Sequence, residues 1–429
     1  MSPSIPLSGN RRIRAIIPSI VFQHAEDAAV LHSIRTRLTT APHVKLKHIR
    51  RFDDRVAAHL DGLSVAGEQA WPMLDAALAS PSSGAVFAAA VMAIEGKSTE
   101  RLNRLYALAE AVPEGQRGLL AAFGWVEQDR LRGIVAGLLA SPTPFLRLLG
   151  IAACAMHRVD PGKVRDAALE GPATALRARA LRAVGELGRR ELLPTCLGML
   201  NAEDEASRFW AAWSAVVLGN RAAGLTALRG VAEVPGPFRS RAFNLSLLAL
   251  EQGEVRAWLR RMSGNPENLR LLIQGTGIVG DPLVVPWLIE HMSDPKTARL
   301  AGEAFSVMTG LDLAYLDLEL KPPQNGGAGP NDDPDDPNVD MDADDGLPWP
   351  DPERITRWWD SNGGRFAPGT RYFLGAPLTR EHCLRGLKEG FQRQRILAAH
   401  YLCILEPGTT LFEWRAPSAR QLRLLAAMG

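Results

Sequence analysis

The sequence predicts an all-α protein, an α-solenoid of about eight to nine two-helix repeats, and three observations carry that prediction. Arg147, Arg177, Arg208, Arg239, Arg270 and Arg299 recur at intervals of 30, 31, 31, 31 and 29 residues. A proline stands just ahead of five of them: Pro144, Pro172, Pro237, Pro266 and Pro295. Aligned on the arginines, the chain shows two columns of mostly small residues. Three residues on stand Gly150, Ala180, Ala211, Ala242, Ile273 and Gly302; seven residues on stand Cys154, Val184, Ala215, Ser246, Gly277 and Ser306. Positions four apart share a helix face, and small residues there let a neighbouring helix approach closely.

Larger apolar residues, among them Leu181, Phe209, Phe243 and Phe305, fill the space around that seam. Each first helix ends in a short polar or glycine turn, such as Gly188-Arg189 or Gly280-Asp281-Pro282, and an apolar second helix returns, as in LLPTCLGML and LVVPWLIEHM. Two helices of about ten to twelve residues with their turns account for a ~31-residue period.

The elements before the array follow the same rules. Gln23 to Leu38 carries apolar residues at helical spacing, and a second helix covers Val44 to Leu60 up to a turn at Asp61-Gly62. A third starts near Gly67, with Pro72 close to its first turn, where a missing N–H does little harm. Residues 1–79 thus form an N-terminal helical region, and the repeat array runs over 80–310. Residues 322–352, rich in Pro, Gly and Asp and nearly free of aliphatics, read as an acidic linker. Residues 353–429 resume helices at Pro352–Trp359, Thr379–Lys388, Gln392–Leu405 and Ser418–Met428. Arg395 with Ala398, Ala399 and Leu402 repeats the arginine-plus-small-residue theme, so this segment is expected to pack on the array's end as a helical cap.

The passage NPENLRLLIQGTGIVGDPLVVPWLIEHMSDPKTARLAGEAFSVMTG resembles the short HEAT-like repeat of phycobilin lyases and their relatives. The pieces QHAEDAAVL, HLDGLSVAGEQAW, AGEAFSVMTG, GFQRQRILAAH and LFEWRAP extend a resemblance to a family of proteobacterial HEAT-like proteins over both ends of the chain. Genes of that family often lie beside type VI secretion components, so the resemblance implies an adaptor or accessory role and carries over no catalytic residues.

Composition bounds the function. A net charge of +2 is too balanced for a dedicated nucleic-acid binder. Four scattered cysteines in apolar helical patterns fit reduced thiols in a cytoplasmic protein, and no stretch approaches the ~20 apolar residues of a membrane span.

The candidate chemical motifs read as structure. Gly275, Gly277 and Gly280 spell G-x-G-x-x-G, but the dinucleotide motif needs a preceding strand, and Gly277 lies in a packing column. Asp340, Asp342 and Asp344 have calcium-loop spacing, with Asp351 at the twelfth position, yet the glycine falls at 346, one place late. His382, Cys383, His400 and Cys403 are the nearest zinc candidates; cysteines in apolar helices are more often core. No His-Glu dipeptide of the di-iron HEAT-like hydroxylases occurs. No cofactor, metal or catalytic residue is therefore assigned.

The expectation is a non-catalytic protein-interaction scaffold that binds a protein partner on its second helices, a secretion component or effector by the resemblance. The alternative is a lyase-type modifying enzyme, which would need a convergent polar pocket. The six arginines are expected to clamp repeats, donating to the last carbonyls of the preceding helix or to Glu205, Glu267 and Asp294.

Overall fold

A computed structural model describes residues 16–323 and 342–429. The fold is an all-α solenoid with two short antiparallel strand pairs among the described residues. It divides into two compact units: residues up to Arg35 with Arg51–Ile134, and Thr36–Arg50 with Val135–Gly429.

The first unit holds most of α1 (Pro18–Leu38) and α2 (Leu46–Ala66), then α3 (Trp71–Ala77), α4 (Ser83–Glu95), α5 (Thr99–Ala111) and α6 (Pro113–Trp125). Its boundary differs from the break near residue 80 read from the sequence, because α4 shares a core with α1. Gly84 lies against the backbone of Ala29 with no room for a side chain, and His32 stacks on Phe87 at 3.6 Å. Burial first, then the charge of Arg35, pushes His32 down to about 3, so the stacked imidazole is neutral. Helix α2 also runs straight through Asp61-Gly62 instead of turning there. The glycine serves packing: a Cβ at Gly62 would stand 2.6 Å from the ring of His24.

The second unit is the array proper. First helices are α8 (Pro144–Met156), α10 (Thr174–Glu186), α12 (Glu205–Val217), α14 (Arg239–Ala249), α16 (Leu269–Val279) and α18 (Ala298–Thr309). They alternate with second helices, α9 (Lys163–Glu170), α11 (Leu193–Gly198), α13 (Ala223–Glu233), α15 (Gln252–Met262) and α17 (Val285–His291), after an opening α7 (Ile134–Ala140). The small-residue columns are where first helices meet. Ala180, Ala211, Ala242 and Ala215 are fully buried, and a Cβ on Gly277 would stand 2.7 Å from the Cα of Ala304.

Most first helices end with a left-handed residue: Arg158, Gly188, Gly219, Gly280 and Gly310, with φ of 58°, 67°, 102°, 64° and 76°. After α8, α10 and α12 the next amide reaches back to the carbonyl five residues earlier (Val159 to Cys154, Arg189 to Val184, Asn220 to Ala215), which satisfies carbonyls the helix leaves open.

That row of helix ends seats the C-terminal segment, which contains α19 (Pro352–Asn362), α20 (Arg380–Glu389), α21 (Gln392–Leu405) and α22 (Ser418–Ala427). Its helices do not stack on the array's end as a further unit, as expected from the sequence; they lie alongside it. The amide of Tyr372 donates to Gly280 O at 2.8 Å, Leu374 to Val307 O at 2.7 Å, and Leu411 to Glu186 O at 3.0 Å. Tyr401 Oη donates to Ile278 O at 2.6 Å. Helix α14 lacks a left-handed end, and there Arg371 supplies the missing donors, to Leu248 O at 3.0 Å and Leu250 O at 2.9 Å. Arg395, fully buried, ties the segment's own helices together through Leu387 O, Gln392 Oε1 and Gln421 Oε1.

Strand β1 (Glu319–Leu320) pairs antiparallel with β2 (Trp349–Pro350), which brackets the acidic stretch. Most of that stretch, Asp340 included, lies outside the described residues. A second pair, β3 (Tyr372–Phe373) and β4 (Ala376–Pro377), turns at Leu374 and Gly375, both with positive φ.

The close seating makes a prediction. Both Gly67 and Gly280 have positive φ, but a Cβ on Gly67 meets nothing whereas one on Gly280 would overlap the carbonyl oxygen of Tyr372. Urea unfolding should show Gly67→Ala losing roughly 1 kcal/mol and Gly280→Ala about 3 kcal/mol. Equal losses would contradict the seating.

Candidate functional site

The repeat arginines make contacts between successive repeats and to the described end of the acidic stretch. Arg177 Nη1 donates to Gly171 O at 3.3 Å behind it, Nη2 to Asp204 Oδ2 at 2.6 Å and Nε to Ser207 Oγ at 3.2 Å ahead of it. Arg239 spans the same way, from Ala232 O to Asn268 Oδ1. Arg208 takes Ala202 O and Glu203 O, while Arg270 takes Lys296 O. Arg270 and Arg299 also hold the described end of the acidic stretch, through Asp344 at 2.6 Å and Asp342 at 2.7 Å. Arg147 Nε is buried without a hydrogen-bond partner among the described residues. The acidic partners expected from the sequence, Glu205, Glu267 and Asp294, are not those used. The arginine fork points along the repeat axis and so reaches Asp204, the N-cap of α12, rather than Glu205 one residue on.

The other candidate motifs resolve into packing. Gly275 lies against the Phe243 ring, Gly277 against Ala304, and Gly280 ends α16. Asp342 and Asp344 face arginines, and Asp351 caps α19 by accepting from the amides of Glu353 and Arg354. His382 bonds Phe373 O and Arg385, His400 Nδ1 donates to Ile396 O, and Cys403 Sγ donates to Thr409 O. Burial pushes the Cys383 and Cys403 thiols up to about 12, so neither is a ready thiolate.

What the sequence reading missed is a cleft of about 190 Å3 between the first helices and the C-terminal segment. Its charged lining comprises Arg158, Arg182, Arg241 and Arg415 against only Glu186 and Glu413. Trp210, Trp213, Trp414 and His400 complete the polar and aromatic wall, with Leu245, Leu248, Ile396 and Leu397 as the apolar side.

The repeat register builds the array's half of this cleft. Arg179, Trp210 and Arg241 stand two residues after the repeat arginine in successive units, and Arg182, Trp213 and Asn244 stand five after it. These positions flank the small-residue column, so a side chain there points past the helix seam. Reading those two columns across three units would have revealed the site. The other half comes from α21 and the loop after it, whose place on the array no local pattern announces.

The cleft's carboxylate is already committed. Burial pushes Glu186 up, but Arg179, Arg182 and Arg158 together override it and hold the carboxyl down at about 2. Arg179 Nη2 lies 2.8 Å from one oxygen and Arg182 Nε 2.7 Å from the other. Arg158 occupies the left-handed position where four other first helices carry glycine, at a conformational cost of ~1–2 kcal/mol. It donates to Ala155 O at 2.5 Å and stands 3.5 Å from Glu413.

Arg241 and Arg415, by contrast, form no ion pair among the described residues. Burial first, then repulsion from Arg182 and Arg415, weakens the hold of Arg241 on its proton; burial likewise weakens that of Arg415, opposed by Glu413 and Glu186 and reinforced by Arg182. Aromatic rings fix these guanidiniums: Arg182 stands over Trp210 at 4.7 Å, Arg241 over the same ring at 6.0 Å, and Arg415 over Trp414 at 5.6 Å. Burial pushes His400 down, and its Nδ1 is spent on Ile396 O. The arrangement is suited to holding an anion.

Residues 163–247, from α9 into α14, match the family model of HEAT repeats. That part of the array has the character of HEAT repeats. No curated protein matches the chain. The HEAT match covers the units that supply Arg182, Trp210, Trp213 and Arg241. Among the described residues no helix is long and apolar enough to cross a membrane.

The state of Glu186 sets a pH dependence. Its folded pKa of about 2 lies below the ordinary 4.5, so its stabilisation is complete above about pH 4.5 and is lost as pH falls toward 2. Glu186→Gln should cost ~3–5 kcal/mol at neutral pH, because it strands buried guanidinium groups. The gap to wild type should narrow in thermal melts between about pH 4.5 and pH 2. A gap that stays constant over that range would contradict the pairing.

Proposed function

We propose that the protein is an interaction scaffold whose HEAT-like array and C-terminal segment hold an acidic segment of a protein partner in the arginine–tryptophan cleft. The observation that carries this reading is the pair of guanidiniums, Arg241 and Arg415, fixed over tryptophan rings and lacking ion-pair partners among the described residues. Like charges gathered in one cleft repel one another, and an incoming carboxylate or other anion relieves that cost. Tryptophan and arginine are also the residues that dominate the energetics of protein interfaces. HEAT repeats commonly serve as protein-interaction scaffolds, which supports the same reading.

The docking face in this reading belongs to the first helices, not to the second helices favoured from the sequence. The resemblance of the sequence adds a partner: a type VI secretion spike component or effector, held before export by an adaptor. The repeat arginines act in this reading as fasteners between units, since their donors are spent on neighbouring carbonyls and caps.

Affinity capture from the source organism tests the reading with two variants. Trp210→Ala combined with Arg241→Ala should lose the captured partner at least about tenfold while keeping the fold. Arg177→Ala should lower the melting temperature yet retain capture in the cold. Capture that survives the cleft variant, or that fails only with Arg177→Ala, would overturn the assignment of the docking face.

A further inference from the structure

The chemistry of the cleft narrows its ligand beyond "acidic". We infer that it receives a phosphomonoester, bound as the dianion with its ester carbon against the apolar wall; the inference rests on the cleft being the docking site proposed above. Three features converge on it.

The first is charge. Glu186 is consumed by Arg179 and Arg182, and Glu413 pairs with Arg158; Glu413 and Glu186 also attract Arg415 from a distance, but neither Arg241 nor Arg415 forms an ion pair among the described residues. The lining's four arginines, Arg158, Arg182, Arg241 and Arg415, face only the two carboxylates Glu186 and Glu413, an excess that calls for two negative charges on one small group. A carboxylate supplies one; a phosphomonoester supplies close to two near neutral pH.

The second is preorganisation. Trp210 carries both Arg182 and Arg241 on its ring, and Trp414 carries Arg415. The forks are therefore held apart before a ligand arrives, and planar guanidiniums match phosphate oxygens two at a time. Arg158 adds a strained left-handed backbone at the rim, a cost of the kind that gathers at ligand sites.

The third is shape. The cleft is about 190 Å3, room for one side chain or a small ester rather than a nucleotide with several phosphates. Leu245, Leu248, Ile396 and Leu397 offer the stem of that ester a dry surface.

The dianion also predicts a pH signature. The second proton of a phosphomonoester leaves near pH 6. Glu186 stays ionised over that range, and burial disfavours the charged form of His400, so the ligand's own second proton sets the trend.

Calorimetry on the full chain with phenyl phosphate, against benzoate, reads this directly. Phenyl phosphate should bind saturably, about tenfold or more tighter than benzoate, and tighter at about pH 7.5 than at about pH 5. Arg241→Gln with Arg415→Gln should weaken it at least about tenfold. Each residue as a whole keeps more than a third of its surface exposed although its guanidinium packs on a tryptophan in the cleft, so the melting temperature should change little while binding is lost. No saturable binding, equal binding of benzoate, no gain with pH, or an unaffected double variant would each overturn the inference.

Two peptide arms separate its source from the scaffold reading. A phosphotyrosine peptide that binds more tightly than phenyl phosphate places the group on a protein and supports both. Phenyl phosphate bound with no peptide binding keeps the phosphate inference and sinks the protein partner. A glutamate-rich peptide bound as well as the phosphorylated one sinks the phosphate inference and leaves the scaffold standing.

Discussion

Everything in the second unit depends on where its first helices stop. A helix leaves its last carbonyls open, and a left-handed residue lets the chain turn back and close them. Because the repeat keeps a period near 31, those turns fall in a row: Arg158, Gly188, Gly219, Gly280 and Gly310. Four of the five are glycine, and without Cβ atoms they let another stretch of chain lie directly on them, backbone at Gly188, Gly280 and Gly310 and the Pro407 ring at Gly219. Gly188 meets Gly408, Gly219 meets Pro407, Gly280 meets Tyr372 and Gly310 meets Leu374. The C-terminal segment is thus seated by the array's own helix ends. Where the row lapses, at α14, Arg371 closes the carbonyls in its stead.

The cleft follows from the same register. With the segment in place, His400, Trp414 and Arg415 come to face Arg182, Trp210 and Arg241 on three successive first helices. The one non-glycine of the row, Arg158, stands at the cleft's edge and directs its guanidinium to Glu413 of the seated segment. Cleft and assembly therefore share a boundary: residues that bind the segment at the helix ends also position the groups that line the cleft. A repeat array alone would present Arg182, Trp210 and Arg241 as an open strip; the segment converts the strip into a walled site.

Much of this architecture was readable from the chain. Period, helix ends and the small-residue columns follow from local spacing, and the C-terminal helices fall close to Arg380–Glu389, Gln392–Leu405 and Ser418–Ala427 as expected. The HEAT-repeat match over residues 163–247 lies inside the array so defined. Other features depend on contacts between residues far apart in sequence. Gly62 reads as a turn residue, yet it marks the approach of His24. Asp342 and Asp344 read as calcium ligands, yet they answer Arg299 and Arg270. The cleft was half readable: its array columns recur every 31 residues, but Trp414 and Arg415 reach it only through the path of the segment. Periodicity reports what one repeat does to the next, and says nothing of a strand of chain that crosses several repeats.

The central claim is that this segment is an integral part of the array. Hydrogen–deuterium exchange resolved to single amides tests it most directly. The amides of Tyr372, Leu374, Gly375 and Leu411 donate to array carbonyls at 2.8, 2.7, 2.9 and 3.0 Å. Each should exchange as slowly as the buried amides of α12 and α16, through opening of the whole unit. Exchange of those four amides at the rate of an open chain, while α12 and α16 stay protected, would contradict the account.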